Sequence, residues 1–511
     1  MSCASHQTLL ARMRETVINR ADHIAVREHG REFTYAELGT MIASLYQTLG
    51  QARQEANAPI GLLLDRSALA YAAMWASIGR GRAYVPLNAT YPIARLRNIV
   101  EQAGIVTIVC GRDTVDLAQS LGIEERHLIV ATPSNCRTAR AAAEPTWWQA
   151  SSSREIAYVL FTSGSTGQPK GVPISYDNLL AFIDNISAVI EYRDSDVCSQ
   201  VCELSFDFSV HEIYLALLNG CTLCPARPVD LFNPAHYIAS RSITFWIAVP
   251  SLARVILNNG VPIGDDLQGI RISVFNGEAL TAGLAAAWGK AAPNSIIWNT
   301  YGPTECTVAV TAQYWSGDPE QVEADVIAIG TPFPNCQAAL FNDAEIVKTP
   351  DAADGSTGEL LLATRQRFAG YTDPSLGSPF VTDGCGTTFY RTGDRVLWRS
   401  GRLYHLGRID HQVKIGGHRI ELMEIEHRLR NWLQTESLAV IAHPAQRPTE
   451  LVLFIEGTSR PPRPSAETLG LPDYMLPKRF VVIDTLPTNP HGKLDRAALQ
   501  SLAECEPCSA A

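Results

Sequence analysis

Three short apolar runs in this chain each break directly into a polar, glycine-bearing loop: IAYVLF (156–161) into TSGSTGQPKG, GIRISVF (269–275) into NGEALT, and SIIW (295–298) into NTYGPTE. Runs of this kind, mostly apolar and ended by turn residues, read as strands. Strands and helices alternate along the chain, which predicts an α/β layered fold. An early hairpin is expected in HIAVREHGREFTY, turning at His29-Gly30, followed by a helix from Tyr35 to about Leu49. Open α/β sheets bind ligands beyond the carboxyl ends of their strands, where all three polar loops lie.

With 511 residues the chain is long enough for more than one domain. Residues 131–155 turn polar and rich in alanine, serine and proline, and are expected as a surface connection with Trp147 and Trp148 as packing anchors. Near Arg408 the pattern changes to a two-strand signal around Gly416-Gly417, an amphipathic helix from Glu421 to about Leu433, and the strands SLAVIAH and ELVLFIEG. The expected architecture is a large N-terminal lobe of αβ layered subdomains, 1–409, and a small, mobile α+β C-terminal lobe, 410–511. Thr281 is placed to cap the helix after NGEALT.

The net charge of −10, from 42 basic and 52 acidic residues, gives no basic surface for nucleic acid. The first twenty residues lack the apolar core of a signal peptide, and no run approaches the roughly 18 apolar residues of a membrane span, so a cytoplasmic chain without membrane insertion is expected. Twelve cysteines scattered over this length read as reduced thiols. Cys198, Cys202, Cys221 and Cys224 approach a zinc-ribbon spacing, but GCTLCPA reads as a strand, whose positions three apart face opposite sides. Buried thiols are therefore expected there, and no prosthetic group anywhere.

The sharpest chemical signal is Phe161-Thr-Ser-Gly-Ser-Thr-Gly-Gln-Pro-Lys-Gly171. Its small residues let backbone N–H groups approach a polyphosphate, its hydroxyls add donors, and Lys170 supplies a mobile cation. The lysine is followed by glycine, and the spacing is not that of a P-loop NTPase. Further along stand Phe33-Thr-Tyr-Ala-Glu-Leu38, Arg82-Ala-Tyr-Val-Pro-Leu87, Asn299-Thr-Tyr-Gly-Pro-Thr-Glu305, Gly358-Glu-Leu-Leu-Leu362, Tyr390-Arg-Thr-Gly-Asp394, the segment from Gly407 to Leu422, and Asn489-Pro-His-Gly-Lys-Leu-Asp-Arg496.

In this order the motifs resemble the adenylate-forming ligase superfamily over nearly the whole chain. The resemblance implies ATP and Mg²⁺ as cofactors and assigns residues by motif. Thr162, Ser163, Gly164, Ser165, Thr166, Gly167 and Lys170 would hold phosphates. Asn299 and Tyr301 would hold adenine, flanked by Thr300, Gly302 and Pro303, with Gly277, Glu278 and Ala279 covering its other face. Asp394 would accept the ribose hydroxyls, with Arg408 a nearby cation. Thr304 and Glu305 would meet the α-phosphate, Glu305 holding the metal, since hard oxygen ligands suit Mg²⁺. Lys493 would reach in from the small lobe to the reacting phosphorus, and Asp410 would be the hinge.

Within the superfamily, Asp207 in Leu204-Ser-Phe-Asp-Phe-Ser-Val-His-Glu-Ile213 matches the position that grips the substrate ammonium in amino-acid-activating members. A carboxylate in an apolar segment is costly unless paired. Its other reading is a cap for the helix beginning near Ser209. The same alignment lines the side-chain pocket with Phe208, His211, Ile247, Val274, Asn276, Thr300, Val308, Ala309 and Lys493. The bulk of Phe208 and His211 shortens that pocket, and Asn276 and Thr300 offer hydrogen bonds. A small or small polar amino acid such as alanine, glycine or serine is expected, with His211 either touching it or simply packed.

The expected enzyme is an amino acid–carrier protein ligase, forming aminoacyl-AMP and passing the acyl group to the phosphopantetheine of a separate carrier protein. It resembles D-alanine–carrier protein ligases and stand-alone nonribosomal peptide adenylation domains. The chain stops at Ala511 without a fused carrier, so a carrier acting in trans is expected. The rivals are an acyl-CoA synthetase for an acid without an amine and a non-catalytic nucleotide-binding protein. Gly416 and Met423 depart from the family's usual residues in the small lobe's hairpin and helix, and Gly457 to Pro472 suggests a reduced helix.

Overall fold

The computed structural model describes residues 8–28, 30–51, 58–133, 147–148, 155–164, 168–258, 266–342, 345–410, 412–457, 461–488 and 494–505. Most of the expected connection over 131–155 lies outside these residues, as do Ser165, Thr166, Gly167 and Lys493. Contacts divide the chain into two compact units. The first comprises Met1–Ala89, Val100–Phe161 and Gly171–Leu406, the second Thr90–Ile99, Thr162–Lys170 and Gly407–Ala511.

Unit one is built on two largely parallel sheets. In one, Ile296–Tyr301, Ile272–Phe275, Phe245–Ala248, Val197–Gln200, Thr222–Pro225 and Ile24–Glu28 lie side by side in that order and run parallel. Antiparallel strands flank them on both sides: Arg31–Thr34 closes the hairpin expected at Gly30, and Thr311–Tyr314 and Thr331–Pro332 finish the other edge. The register sets Ile247 beside Val274 and Trp298, and Ala248 beside Phe275 and Asn299. The strand expected to end at Trp298 runs on to Tyr301, because Thr311–Tyr314 pairs with its last residues as well. Asn299, Thr300 and Tyr301 are therefore strand residues rather than loop residues.

The second sheet orders Leu128–Val130, Thr107–Cys110, Ile60–Leu63, Tyr84–Pro86, Ile156–Thr162 and Lys170–Ser175. The helices Ala68–Gly79 and Phe208–Leu218 have almost no polar face and are buried nearly all round, as helices packed among such sheets must be. A third, antiparallel sheet contains Cys336–Asn342, Ser356–Thr364 and Thr388–Arg399.

One carboxylate ties the amino-end edge of the first sheet together. Asp196, just ahead of Val197–Gln200, accepts from Thr244 Oγ1 at 2.9 Å, from the Arg193 N–H at 2.8 Å and from Arg271 Nη2 at 2.6 Å. Thr244 and Arg271 immediately precede the next two strands, so a single ion-paired side chain sets the starts of three.

Unit two follows the alternation written in its strands. Leu438–His443, Glu450–Glu456 and Arg479–Ile483 form a three-stranded sheet, antiparallel and then parallel. Leu438, Val440, Leu451 and Leu453 face a core shared with helix Leu422–Leu433, while Ala439, Ile441, Val452 and Phe454 face the helix Arg496–Cys505. Each strand thus buries both faces, one against each helix. The hairpin Gln412–Ile415 and His418–Glu421 turns on Gly416 and Gly417, at φ 59° and 79°, the backbone a two-residue hairpin turn needs. The small helix expected to be reduced is Ala466–Leu469, a single turn.

Cys198, Cys221 and Cys224 are free and buried, on or beside paired strands, as expected of thiols packed into a sheet. Among the described residues, no helix is long and apolar enough to cross a membrane, and no group of three His, Cys, Asp or Glu side chains is placed to hold a metal ion. Replacing Asp196 with alanine leaves the half-buried Arg271 guanidinium without its main partner. Urea denaturation should show a loss on the order of 3 kcal/mol.

Candidate functional site

The helix that follows Val197–Gln200 is entered through Asp207, whose backbone forms the N-cap while its side chain makes no capping bond. The entry is organised by neighbours instead. Ser209 Oγ donates to the Phe206 carbonyl at 2.6 Å. Glu212, fully buried one turn on, accepts from the N–H of Val201 at 2.8 Å and of Cys202 at 3.1 Å, and from Gln200 Nε2 at 2.9 Å. Burial pushes the Glu212 carboxyl up to about 8 despite these bonds. Asp207 lies near enough to Tyr158 and Cys202 for its charge to add to the burial that raises both groups. The capping alternative for the Asp207 carboxyl is therefore not what the structure shows, and the helix starts at Phe208 rather than Ser209.

The residues expected around a substrate side chain are nearly all buried. Ile247 and Val274 are neighbours on adjacent strands, and Val308 and Ala309 follow the Tyr301 strand. Asn276 Nδ2 donates to the Val308 carbonyl at 3.3 Å and its Oδ1 accepts from Gly277 N–H at 2.6 Å. Thr300 Oγ1 donates to the Phe275 carbonyl at 3.2 Å. Both residues expected to offer hydrogen bonds thus spend donors on backbone carbonyls, a local demand that residue identity does not reveal. His211 is wholly buried beside the rings of Phe182, Phe208 and Tyr192, with Nε2 2.7 Å from the Tyr192 hydroxyl. Burial lowers it to about 3, so it is a neutral, packed histidine.

The stretch from Gly302 to Ala309 is wound tightly. A Cβ on Gly302 would come 2.6 Å from Ala309 Cα, so only glycine permits the two backbones to touch. Thr307 and Val308 hold φ of 56° and 70°, a conformation that costs roughly 1–3 kcal/mol for such residues. Gln366 offsets this. Its Nε2 lies 3.1, 3.3 and 2.7 Å from the carbonyls of Cys306, Thr307 and Ala309, and its Oε1 accepts from Asn185 at 2.7 Å. Glu305, 1% exposed, accepts from the Tyr371 hydroxyl at 2.9 Å, while Thr304 beside it is only half-buried.

At the end of its strand, the Tyr301 hydroxyl donates to Asp394 Oδ2 at 2.5 Å, and His405 Nε2 lies 3.1 Å from Asp394 Oδ1. Asn299 donates its amide to the carbonyls of Ile327 and Ala328 at 3.3 and 2.9 Å, which fixes the amide's orientation and leaves its Oδ1 as the atom able to receive a ligand's N–H. Gly277, with φ of 88°, turns the chain out of its strand, Glu278 accepts from Ser251 N–H at 2.8 Å, and Ala279 is exposed. Pro303 is buried.

In unit two, Ser163, Gly164 and Lys170 meet residues of the hairpin and its following helix. Ser163 Oγ donates to the Arg419 carbonyl at 2.7 Å, Gly164 N–H donates to Glu424 Oε2 at 3.2 Å, and Lys170 Nζ lies 3.3 Å from Glu421 Oε1. Arg408 grips Asp410 with two bonds of 2.6 Å. Burial alone would raise the Asp410 carboxyl, but the Arg408 bonds and charge outweigh it and hold it below its ordinary value. His405, Gln366, Tyr371 and Glu424 were not singled out by sequence, since each is an isolated polar residue whose partner lies far along the chain.

A carboxylate bonded by Tyr301 at a strand end, and separately a glycine-bearing segment with Lys170, are features an adenylate-forming enzyme would carry. A sequence model of the AMP-binding enzymes matches residues 13–372, and the chain belongs to that family. It is 32% identical over 513 residues to the phosphinothricin tripeptide synthetase PhsC of Streptomyces viridochromogenes, covering 97% of this chain and 45% of the relative. It is 30% identical over 497 residues to tyrocidine synthase 1 of Brevibacillus parabrevis, covering 94% and 43%. The chain therefore spans less than half the length of these curated relatives. The crystal structure of the Vibrio cholerae adenylation domain AlmE with glycyl-adenosine-5′-phosphate superposes with a TM-score of 0.85 at 28% identity, covering 99% of this chain and 98% of that one. Holo-AB3403, a four-domain nonribosomal peptide synthetase bound to AMP and glycine, superposes with a TM-score of 0.67 at 28% identity, covering 96% and 36%. The expected α/β class and adenylation-enzyme family therefore stand.

Because His211 is held neutral far below its ordinary 6.5, the stability it contributes is present above pH 6.5 and is lost as the pH falls toward 3. Between pH 7 and 5 this amounts to about 2 kcal/mol. Urea midpoints of wild type and His211→Gln should show the variant losing less stability over that interval by about this amount.

Proposed function

We propose that the chain activates a small amino acid as aminoacyl-AMP and transfers it to the phosphopantetheine thiol of a carrier protein. The observation that supports the amino acid is Asp207, a carboxylate at the mouth of a buried helix whose entry is fixed by Ser209 and Glu212 without it. A substrate ammonium would make a charge-assisted bond to it, and an acid lacking the amine would forgo that bond. The filled space around Phe208, Ile247, Val274 and Val308, with the donors of Asn276 and Thr300 engaged, favours glycine or alanine over serine. Both of the solved relatives above carry a glycine or glycyl ligand, which agrees with a short side chain.

In the first step a carboxylate oxygen of the amino acid attacks the α-phosphorus of ATP, the bond to the bridging oxygen breaks, and pyrophosphate leaves. Lys493 and Lys170 would offset the negative charge that develops, Asp394 would orient the ribose, and Asn299 Oδ1 would accept from the adenine amino group. Glu305 with Thr304 fits Mg²⁺, an ion that needs one or two protein oxygens and otherwise uses water and phosphates; bound there, it would neutralise phosphate charge. In the second step the carrier thiolate attacks the activated carbonyl and AMP departs, leaving the thioester.

ATP–pyrophosphate exchange across the amino acids tests this. Exchange should depend on glycine or on D- or L-alanine, and Asp207→Ala should raise the amino acid KM by on the order of tenfold to a hundredfold, the value of one charge-assisted bond. Exchange independent of every amino acid, together with CoA thioester formation from a fatty acid, would establish the acyl-CoA synthetase instead.

A further inference from the structure

The donors expected to hold ATP's terminal phosphates already have anions on them. Glu424, with its side chain fully buried, accepts from Gly164 N–H through Oε2 at 3.2 Å and from Arg95 Nη1 through Oε1 at 3.0 Å. Glu421, nearly as buried, receives Lys170 Nζ at 3.3 Å and Gln412 Nε2 on the same oxygen, and its own N–H donates to Ser163 Oγ at 3.1 Å. One carboxylate on a glycine N–H and a second on the loop lysine reproduce the charge pattern of two adjacent phosphates. Ser163, Gly164 and Lys170 cannot bond to these groups and to a polyphosphate at once.

We infer that Glu421 and Glu424 are functional residues of the reaction. They form an internal anionic ligand that competes with pyrophosphate for the phosphate loop and takes its donors once pyrophosphate has left. The inference rests on reading Ser163, Gly164 and Lys170 as donors to ATP's phosphates. Two features argue against a merely structural contact. The carboxylates sit on the donors of a loop whose composition otherwise serves anions, and Glu424 is held in place by Arg95, a buried cation that keeps it aimed whether or not Gly164 is available. The exchange also gives adenylate formation a direction. Pyrophosphate that dissociates is replaced by a ligand that cannot diffuse away, so its rebinding, and with it the reversal of adenylation, is disfavoured.

Calorimetric titration of the full chain with magnesium pyrophosphate tests the competition without amino acid or carrier. Glu421→Gln keeps the shape and removes the charge, and should bind pyrophosphate about tenfold more tightly than wild type, the value of one charge-assisted bond. Lys170→Ala should lose most of the affinity. Damage to the fold cannot imitate a gain in affinity. Should Glu421→Gln not fold, Glu424→Gln reads the same competition at Gly164. Unchanged or weaker binding by the folded glutamine variant, with Lys170→Ala still defective, would overturn the internal ligand and leave the phosphate loop standing. Full affinity in Lys170→Ala would overturn both.

Discussion

A carboxylate at the first turn of an apolar helix is costly to desolvate, and on the proposed reading the ammonium of the substrate meets Asp207 there. The helix Phe208–Leu218 is buried along almost its whole length, as its composition requires, and it needs its entry held firmly. Glu212 does that by gathering the N–H groups of Val201 and Cys202, and Ser209 by bonding back to Phe206. The Asp207 side chain makes no capping bond to this helix. Asp196 fixes the starts of three parallel strands, and their opposite ends carry the residues that would surround a substrate.

The second constraint is the wound stretch between Gly302 and Ala309. Two left-handed, β-branched residues, Thr307 and Val308, persist where Gln366 collects the carbonyls of Cys306, Thr307 and Ala309. Strain of this kind is retained where surrounding structure over-determines it, and here it sets the positions of Glu305, Val308 and Ala309 together. On the proposed reading Glu305 would serve the metal and Val308 the side-chain pocket, so one strained turn would link the nucleotide to the amino acid.

Much of this was legible in the residues themselves. Short apolar runs ending in glycine-bearing loops gave strands of the large sheets, and the apolar runs SLAVIAH and ELVLFIEG gave two strands of the small lobe. Thr281 caps its helix as its position implies, accepting from Leu284 N–H at 3.1 Å. What the residues could not disclose was how polar groups divide their bonds. Thr300 and Asn276 carry donors, yet nearby carbonyls claim them, and those carbonyls are placed by register rather than by sequence neighbours. The end of the strand at Tyr301 rather than Trp298 likewise depends on a partner strand ten or more residues away. Glu424 and His405, which meet the motif residues Gly164 and Asp394, look in the sequence like ordinary helix or strand positions.

The most direct measurement is a crystal structure of the chain with a non-hydrolysable glycyl- or alanyl-adenylate analogue. The ligand's ammonium should lie within about 3 Å of an Asp207 carboxylate oxygen, the distance of a charge-assisted hydrogen bond. A structure in which that carboxylate instead turned toward neighbouring backbone N–H groups, with the ammonium held by other residues or by water alone, would contradict the recognition on which the amino acid assignment depends.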